Sequence, residues 1–205
     1  MSPRFTLGKE TTHIAEPLDK EGYVDYETAL NQRLSKGITA KTNANVLLWK
    51  VLGPKPERTP MPPDFFKLLG MEEPPERGEY FSEVLRYAKE RLKFESGERI
   101  DALSDQPRRA AQRPWTEKEY PHLASWLKAN ETPLALVVEA TRRPDYFNPL
   151  VSRKTEKGSS GLIVVSLSGV QSCREVARAL TARAMLRVGE GRVEEAWQDL
   201  LACHR

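Results

Sequence analysis

The chain has only two cysteines and three histidines among its 205 residues. Cys173 and Cys203 lie far apart and neither belongs to a C-x-x-C pair, which argues against a zinc cluster. The histidines are also scattered, so we expect no metal site and no cofactor. A disulfide between the two cysteines stays open as an alternative. Two separate small buried side chains are favoured, because free cysteine is often buried.

Long apolar runs and export signals are missing as well. The longest apolar runs cover residues 134–138 and 161–167, far short of the roughly 20 residues that a membrane helix needs. Residues 1–16 contain neither the apolar segment nor the cleavage-site pattern of a secretory signal. The sequence as written is therefore expected to be soluble, and it does not indicate a cell compartment.

Neither sign of charge dominates the chain. Its 32 basic and 29 acidic side chains give a formal net charge of +3, which argues against a dedicated nucleic-acid-binding protein. The sequence also contains no G-x-x-x-x-G-K-[ST], G-x-G-x-x-G, G-x-S-x-G or H-E-x-x-H motif. Charge and motifs thus indicate no catalytic class.

Amphipathic helices make up most of what is present, and they predict an all-α protein. Residues 25–52 predict a helical hairpin in which Asp25 caps the first arm, Thr39 caps the second, and Trp49 flanks the buried stripe. Further helices are predicted over residues 64–70, 80–94, 99–106, 121–129 and 132–143. Pro121 begins one of these helices, and Thr132 with Pro133 is typical of the start of the next.

Proline-rich connectors separate the predicted helices. Five prolines between residues 53 and 63 exclude a helix there and favour an extended connector. A basic, proline-bounded connector is predicted at 107–114. We expect an extended or disordered lead-in over residues 1–22 and one irregular helical bundle over 23–205, crossed by a proline-rich strap. Two sub-lobes, 23–75 and 76–205, are the alternative.

The candidate site is the long stretch without helical periodicity, residues 144–161, together with the helix before it. Loops of this length usually bind a ligand or are disordered. Ser159 and Ser160 lie in a Gly-Ser cluster that could bind phosphate, and residues 162–167 are predicted to be a buried connector. The candidate binding residues are Arg142, Arg143, Tyr146, Phe147, Arg153, Lys154 and Lys157.

The sequence leaves three functional classes open, and two of them, an enzyme and a nucleic-acid binder, rest on this region. Glu139 is the one acid in an otherwise apolar helix, and a buried carboxylate with a raised pKa would serve as a general base in an enzyme. A helix-edge Glu139 that pairs with Arg142 or Arg143 is favoured over that reading. Weak nucleic-acid binding through the loop's basic and aromatic residues is a third class, although a loop that packs its aromatics inward is favoured. The leading hypothesis is a non-enzymatic protein-interaction or scaffold module.

Residues 169–205 predict a second helical hairpin, with Gly189 and Gly191 at its turn. In the second arm, Trp197, Leu200 and Leu201 are expected to face the first arm and the body of the domain. The first arm is expected to bury one stripe, because about 100° separates successive residues: Val170, Cys173, Ala177, Leu180, Ala184 and Val188.

The segment ALTARAMLRVGEGRVEEAWQDLLACHR resembles a tetratricopeptide-type repeat. Leu180 and Ala184 match the large and small positions of its first helix, Gly191 matches the turn, and Ala196 matches the small position of its second helix. Arg183 stands where the repeat usually carries a large apolar residue, and no second copy occurs at the expected period of about 34 residues. The resemblance implies a packing device, which is favoured, or a peptide-binding array.

A broader resemblance covers most of the chain. The segments GYVDYETALNQRLSKGITAKTNANVLLWKVLGP, RPDYFNPLVSRKTEKGSSG and ARAMLRVGEGRVEEAWQDLLACHR resemble uncharacterised proteins of planctomycete-type bacteria. Such proteins are usually longer and often have an N-terminal membrane anchor. The resemblance implies that the sequence is the N-terminal portion of a longer chain. Its expected partner is another protein or the C-terminal continuation of this chain.

Overall fold

The computed structural model describes residues 8, 10, 13–56, 60–62, 64–95, 97–152 and 169–205. Within these ranges the chain forms nine helices and no β-sheet, which confirms the all-α prediction. None of these nine helices is both long and apolar enough to cross a membrane. The helices are α1 (Tyr26–Leu34), α2 (Ala44–Leu52), α3 (Asp64–Leu69), α4 (Val84–Glu90), α5 (Glu98–Ala110), α6 (Pro121–Ala129), α7 (Glu131–Ala140), α8 (Val170–Gly189) and α9 (Val193–His204).

Two predicted helix starts are confirmed and two are wrong. Asp25 caps α1 by accepting a hydrogen bond from the Thr28 N–H at 3.0 Å, and α6 begins at Pro121. The predicted cap of α2, Thr39, instead forms a turn with Thr42, and Asn43 caps the helix. The predicted cap of α7, Thr132, already lies inside a helix that begins at Glu131. Both errors are small shifts of register, because several residues in each stretch can cap a helix.

Helix α5 runs through the residues that predicted a proline-bounded connector. Pro107 lies inside it, although an internal proline removes one backbone hydrogen bond. Leu103, Pro107 and Ala110 are spaced along one face and are all buried. Their burial offsets the missing hydrogen bond, so the helix continues to Ala110. Helix α4 is shorter than the helix predicted over residues 80–94, and its Leu85 is exposed.

The buried apolar side chains form two clusters. The larger one surrounds Trp115 and Trp126 and draws on α4 to α8. The smaller one is aromatic, with Trp49 in edge contact with Phe65 and Phe66 at ring-centroid distances of 4.7 and 5.7 Å. Trp49 is therefore a central core residue and not the flanking side chain that the sequence predicted. Helix α2 joins the clusters because it contributes Val51 to the larger and Trp49 to the smaller.

Helices α8 and α9 pack together as the predicted hairpin, but the buried face of α8 is rotated from the predicted stripe. Val170, Cys173 and Ala177 are exposed, whereas Leu180 and Ala184 are buried as expected. Contacts with the core explain the rotation. The Trp115 indole Nε1 donates to the Ala182 carbonyl at 2.9 Å. The buried residues of α8 are Ser172, Val176, Ala179, Leu180, Ala182, Arg183 and Ala184.

A buried ion pair connects the two arms of this hairpin. Asp199 is completely buried and Arg183 is 4% exposed. The Arg183 guanidinium donates from Nε to Oδ2 at 3.0 Å and from Nη2 to Oδ1 at 2.6 Å. Arg187 Nη1 donates to the same Oδ2 at 2.8 Å. One carboxylate thus accepts hydrogen bonds from two guanidinium groups.

This ion pair determines which face of α9 is buried. Residues two apart on an α-helix lie about 160° apart around its axis, so Asp199 and Trp197 cannot both face α8. Asp199 and Ala196 are buried, while Trp197 is 55% exposed. The expectation that Trp197 packs against the first arm is wrong, and Leu200 and Leu201 are only partly buried.

Gly189 gives a test of how closely α8 approaches the core. Helix propensity alone predicts that Gly189→Ala stabilises the protein by about 1 kcal/mol. In the structure, however, an added Cβ would clash with the Trp115 carbonyl oxygen. We therefore expect the substitution to lower the free energy of unfolding by about 1–3 kcal/mol, measured by urea denaturation. A variant at least as stable as the wild type would contradict this packing.

Asp199 gives a test of the buried ion pair. We expect Asp199→Asn to lower the free energy of unfolding by about 3–5 kcal/mol, because it leaves buried guanidinium charge uncompensated. The control is Glu194→Gln on the exposed face of the same helix, expected to change stability by less than about 0.5 kcal/mol. Equal effects of the two substitutions in denaturant titrations would show that the pair does not hold the hairpin.

Candidate functional site

Three buried asparagines hold the segment after α7 against α1 and α2. Asn43 accepts from the Phe147 N–H and donates to the Phe147 carbonyl, both at 3.0 Å. Asn45 donates to the same carbonyl at 3.1 Å. Asn31 makes the same two-way exchange with the backbone of Leu150, at 2.7 and 2.8 Å. We call these three side chains the asparagine clamp.

The clamp fixes the orientation of the two predicted aromatic residues. Phe147 is 4% exposed and packs inward, whereas its neighbour Tyr146 is 63% exposed. The loop therefore buries one of its aromatics and presents the other. Arg143 reinforces the clamp, because its Nη1 donates to the carbonyls of Ala40 and Asn43, both at 2.8 Å. The predicted binding residues Arg143 and Tyr146 thus occupy fixed positions at the end of α7.

An apolar cavity of about 330 Å³ lies beside Tyr146, between α2, α7 and the C-terminal hairpin. Its apolar wall includes Leu48 and Val51 from α2, Val137 and Ala140 from α7, and Leu180 from α8. Exposed residues also line it, so it opens at the surface. These are Pro144, Tyr146, Cys173, Ala177, Cys203 and Arg205. The charged side chains in its lining are Arg143, Asp145 and Arg205.

Both cysteines border this apolar cavity, and the structure does not join them by a disulfide. The expectation that they are buried is wrong, because both are exposed. Cys203 Sγ lies 3.9 Å from the Ala177 carbonyl oxygen. Partial burial of this sulfur raises the pKa of the Cys203 thiol, and the Asp199 carboxylate raises it further. The Cys203 thiol is thus a weaker acid than an ordinary cysteine thiol, and it is protonated at neutral pH.

The remaining candidate residues do not converge on the apolar cavity. Glu139 is exposed and does not line it, so it is not the buried carboxylate that the enzyme hypothesis requires. Arg142 is exposed and donates to Gln198 Oε1 at 3.3 Å on α9. The other predicted sites lie outside the described residues: Arg153, Lys154, Lys157, Ser159, Ser160 and the connector at 162–167.

Sequence reasoning missed the residues that build this site. The asparagines of the clamp lie in or beside α1 and α2, about 100 positions from their partners in the loop, and no local pattern connects such distant residues. Arg183 and Asp199 did carry a signal, because each is a charged residue next to apolar positions of its predicted helix. A polar residue at a core position of each arm is what a buried ion pair requires.

Comparison with protein-family models finds no match, and searches of curated proteins and of solved structures find none either. The resemblances to the tetratricopeptide-type repeat and to planctomycete-type bacterial proteins therefore stay predictions.

The pKa of Cys203 gives a test of the cavity wall. Because the thiolate is the reactive form, alkylation of Cys203 by iodoacetamide should speed up with pH around a midpoint above about 8.5, the value of an unperturbed cysteine. A Cys173→Ser variant makes Cys203 the one reacting cysteine, and mass spectrometry gives the rates. A midpoint at or below the ordinary value would contradict the environment described for this sulfur.

Proposed function

We propose that this chain is a helical protein-interaction module that binds an amphipathic segment of a partner protein in the apolar cavity. The observation that carries the proposal is the cavity itself, which has apolar walls and an exposed tyrosine at its rim. An apolar side chain of the partner fills the cavity, and an acidic side chain beside it pairs with Arg205.

The composition of the rim supports this type of partner. Tyrosine and arginine are enriched in interfaces and among the residues that contribute most binding energy. Two arginines and one aspartate line the cavity, which favours a partner with a negative charge. The asparagine clamp and the Arg143 hydrogen bonds fix the rim before binding, so less entropy is lost when the partner binds.

The position of the cavity also matches the place predicted for an enzyme site, between the loop and the Glu139 helix. The structure supports binding over catalysis there. Val137 and Ala140 of α7 and its C-cap Thr141 line the cavity, and the candidate acid Glu139 lies outside this lining. The tetratricopeptide-like character of the hairpin belongs to the same proposal, since α8 and α9 contribute one wall.

Filling the apolar cavity tests the proposal. A displayed library of short random peptides is selected on the wild-type chain, and the selected peptides are expected to pair an aliphatic or aromatic residue with a nearby acid. The Ala177→Met variant places a larger side chain in the cavity lining. We expect it to weaken peptide binding by at least about tenfold, measured by calorimetry.

The matched control is Ala135→Met, at an exposed position of α7 that does not line the cavity. It should leave peptide affinity within about twofold, because isolated surface changes have small effects. Bound peptide should also slow alkylation of Cys203. The proposal fails if no peptide is enriched, or if the selected peptides bind Ala177→Met as tightly as the wild type.

A further inference from the structure

A second cavity shares no lining residue with the apolar one and lies beside the buried ion pair, since Arg183 and Arg187 line it. Its volume is about 340 Å³, and its lining includes four cationic side chains: Lys128, Arg183, Arg187 and Arg192. We call it the arginine cavity. Three acids also line it, Glu117, Glu131 and Glu190. The arrangement of hydrogen bonds decides which of these charges remain available to a ligand.

Arg183 has a hydrogen-bonding group that the protein does not use. Its Nε and Nη2 are bound to Asp199. Its Nη1 is buried and has no hydrogen-bond partner among the described residues. A buried polar group without a partner costs about 1–3 kcal/mol, and more when it is charged. Such a group in the lining of a cavity can therefore donate a hydrogen bond to a ligand that reaches it.

Arg187 leaves a second donor beside the first. Its Nη1 is bound to Asp199 at 2.8 Å. Its Nη2 lies 3.5 Å from Glu131 Oε1 and 3.8 Å from Glu195 Oε2, longer than the 2.7–2.9 Å or so of a charge-assisted hydrogen bond. The same Glu131 oxygen lies 3.7 Å from Arg183 Nη1. Glu131 therefore lies near both donors without a close hydrogen bond to either.

The remaining cations differ in how far they are engaged. Arg192 forms close ion pairs with Glu190 at 3.0 Å and with Glu195 at 2.6 Å, so its charge is compensated within α9 and the turn. Lys128 on α6 is exposed, and no ion pair of this lysine occurs in the described part of the chain. Arg183, Arg187 and Lys128 thus supply the donors that an anion in this cavity would contact.

We propose that the arginine cavity binds a phosphate group, which takes hydrogen bonds from Arg183 Nη1 and Arg187 Nη2 and displaces Glu131. A phosphate group has three strong acceptor oxygens and a charge of about −1.5 to −2 at neutral pH. Each of Arg183, Arg187 and Lys128 can therefore donate to its own oxygen, whereas a carboxylate brings two oxygens and a single charge. Guanidinium groups also match phosphate geometry well. The Glu131 side chain is 59% exposed and its contacts with the two arginines are long, at 3.7 and 3.5 Å, so phosphate oxygens can replace it at both donors.

The test uses inorganic phosphate titrated into the full chain at constant ionic strength, followed by calorimetry. We expect a saturable isotherm. Glu131→Gln should tighten phosphate binding several-fold, because it removes the competing carboxylate, and Lys128→Gln should weaken it. Arg187→Gln should weaken it by about tenfold or more. Glu139→Gln, at an exposed position on the same helix as Glu131, is the matched control and should leave the affinity unchanged.

Two further ligands identify the chemical class that the arginine cavity binds, and variants at exposed positions keep a folding defect from deciding the outcome. Phosphoserine tests a phosphate monoester, and tighter binding than inorganic phosphate would assign the site to phosphorylated groups. Succinate tests carboxylates. Glu131 and Lys128 are exposed, so their variants decide the outcome even if Arg187→Gln fails to fold. The proposal is overturned if phosphate does not saturate either the wild type or Glu131→Gln, if Glu131→Gln binds no more tightly, or if succinate binds as well as phosphate.

Discussion

The carboxylate of Asp199 is the group on which the C-terminal half of the structure depends. It is fully buried and accepts hydrogen bonds from Arg183 and Arg187. A buried charge of this kind requires its partners in good geometry, so it fixes how α9 is rotated against α8. That rotation exposes Trp197 and brings Cys203 to the apolar cavity. It also leaves the outer donors of both arginines at the arginine cavity.

The two cavities thus share one structural origin but have opposite chemical character. The apolar cavity has apolar walls and an exposed tyrosine at its rim. The arginine cavity is lined by Arg183 and Arg187, whose other guanidinium nitrogens are already bound to Asp199. The asparagine clamp and Arg143 complete the apolar cavity, because their hydrogen bonds hold residues 143–150 against α1 and α2. There the side-chain amides satisfy the buried backbone N–H and C=O groups of an irregular segment, as strand pairing does in a β-sheet.

Local patterns predicted the helical class, the cap at Asp25, the start of α6 at Pro121 and the terminal hairpin, because these depend on neighbours within a few residues. The same patterns failed where distant contacts decide. Helical periodicity predicted that Trp197 packs into the core, but the face of α9 that packs into the core carries Asp199 instead. Proline predicted a break at 107, but burial of its helix face outweighed the lost hydrogen bond. Of the predicted site residues, Arg143 and Tyr146 line the apolar cavity, whereas Glu139 lies outside its lining.

The asparagine clamp also sets an order of events during synthesis. Asn43 meets its partner Phe147 across 104 positions of sequence, and Asn31 meets Leu150 across 119. At about 5–20 residues per second, the ribosome adds that length in roughly 5 to 20 seconds. During this time the residues of α1 and α2 have been synthesised, but the backbone groups that the asparagine amides bind have not. Helices α1 and α2 make few contacts with each other, so the hairpin predicted over residues 25–52 does not form, and both helices reach their final packing only after most of the chain has emerged.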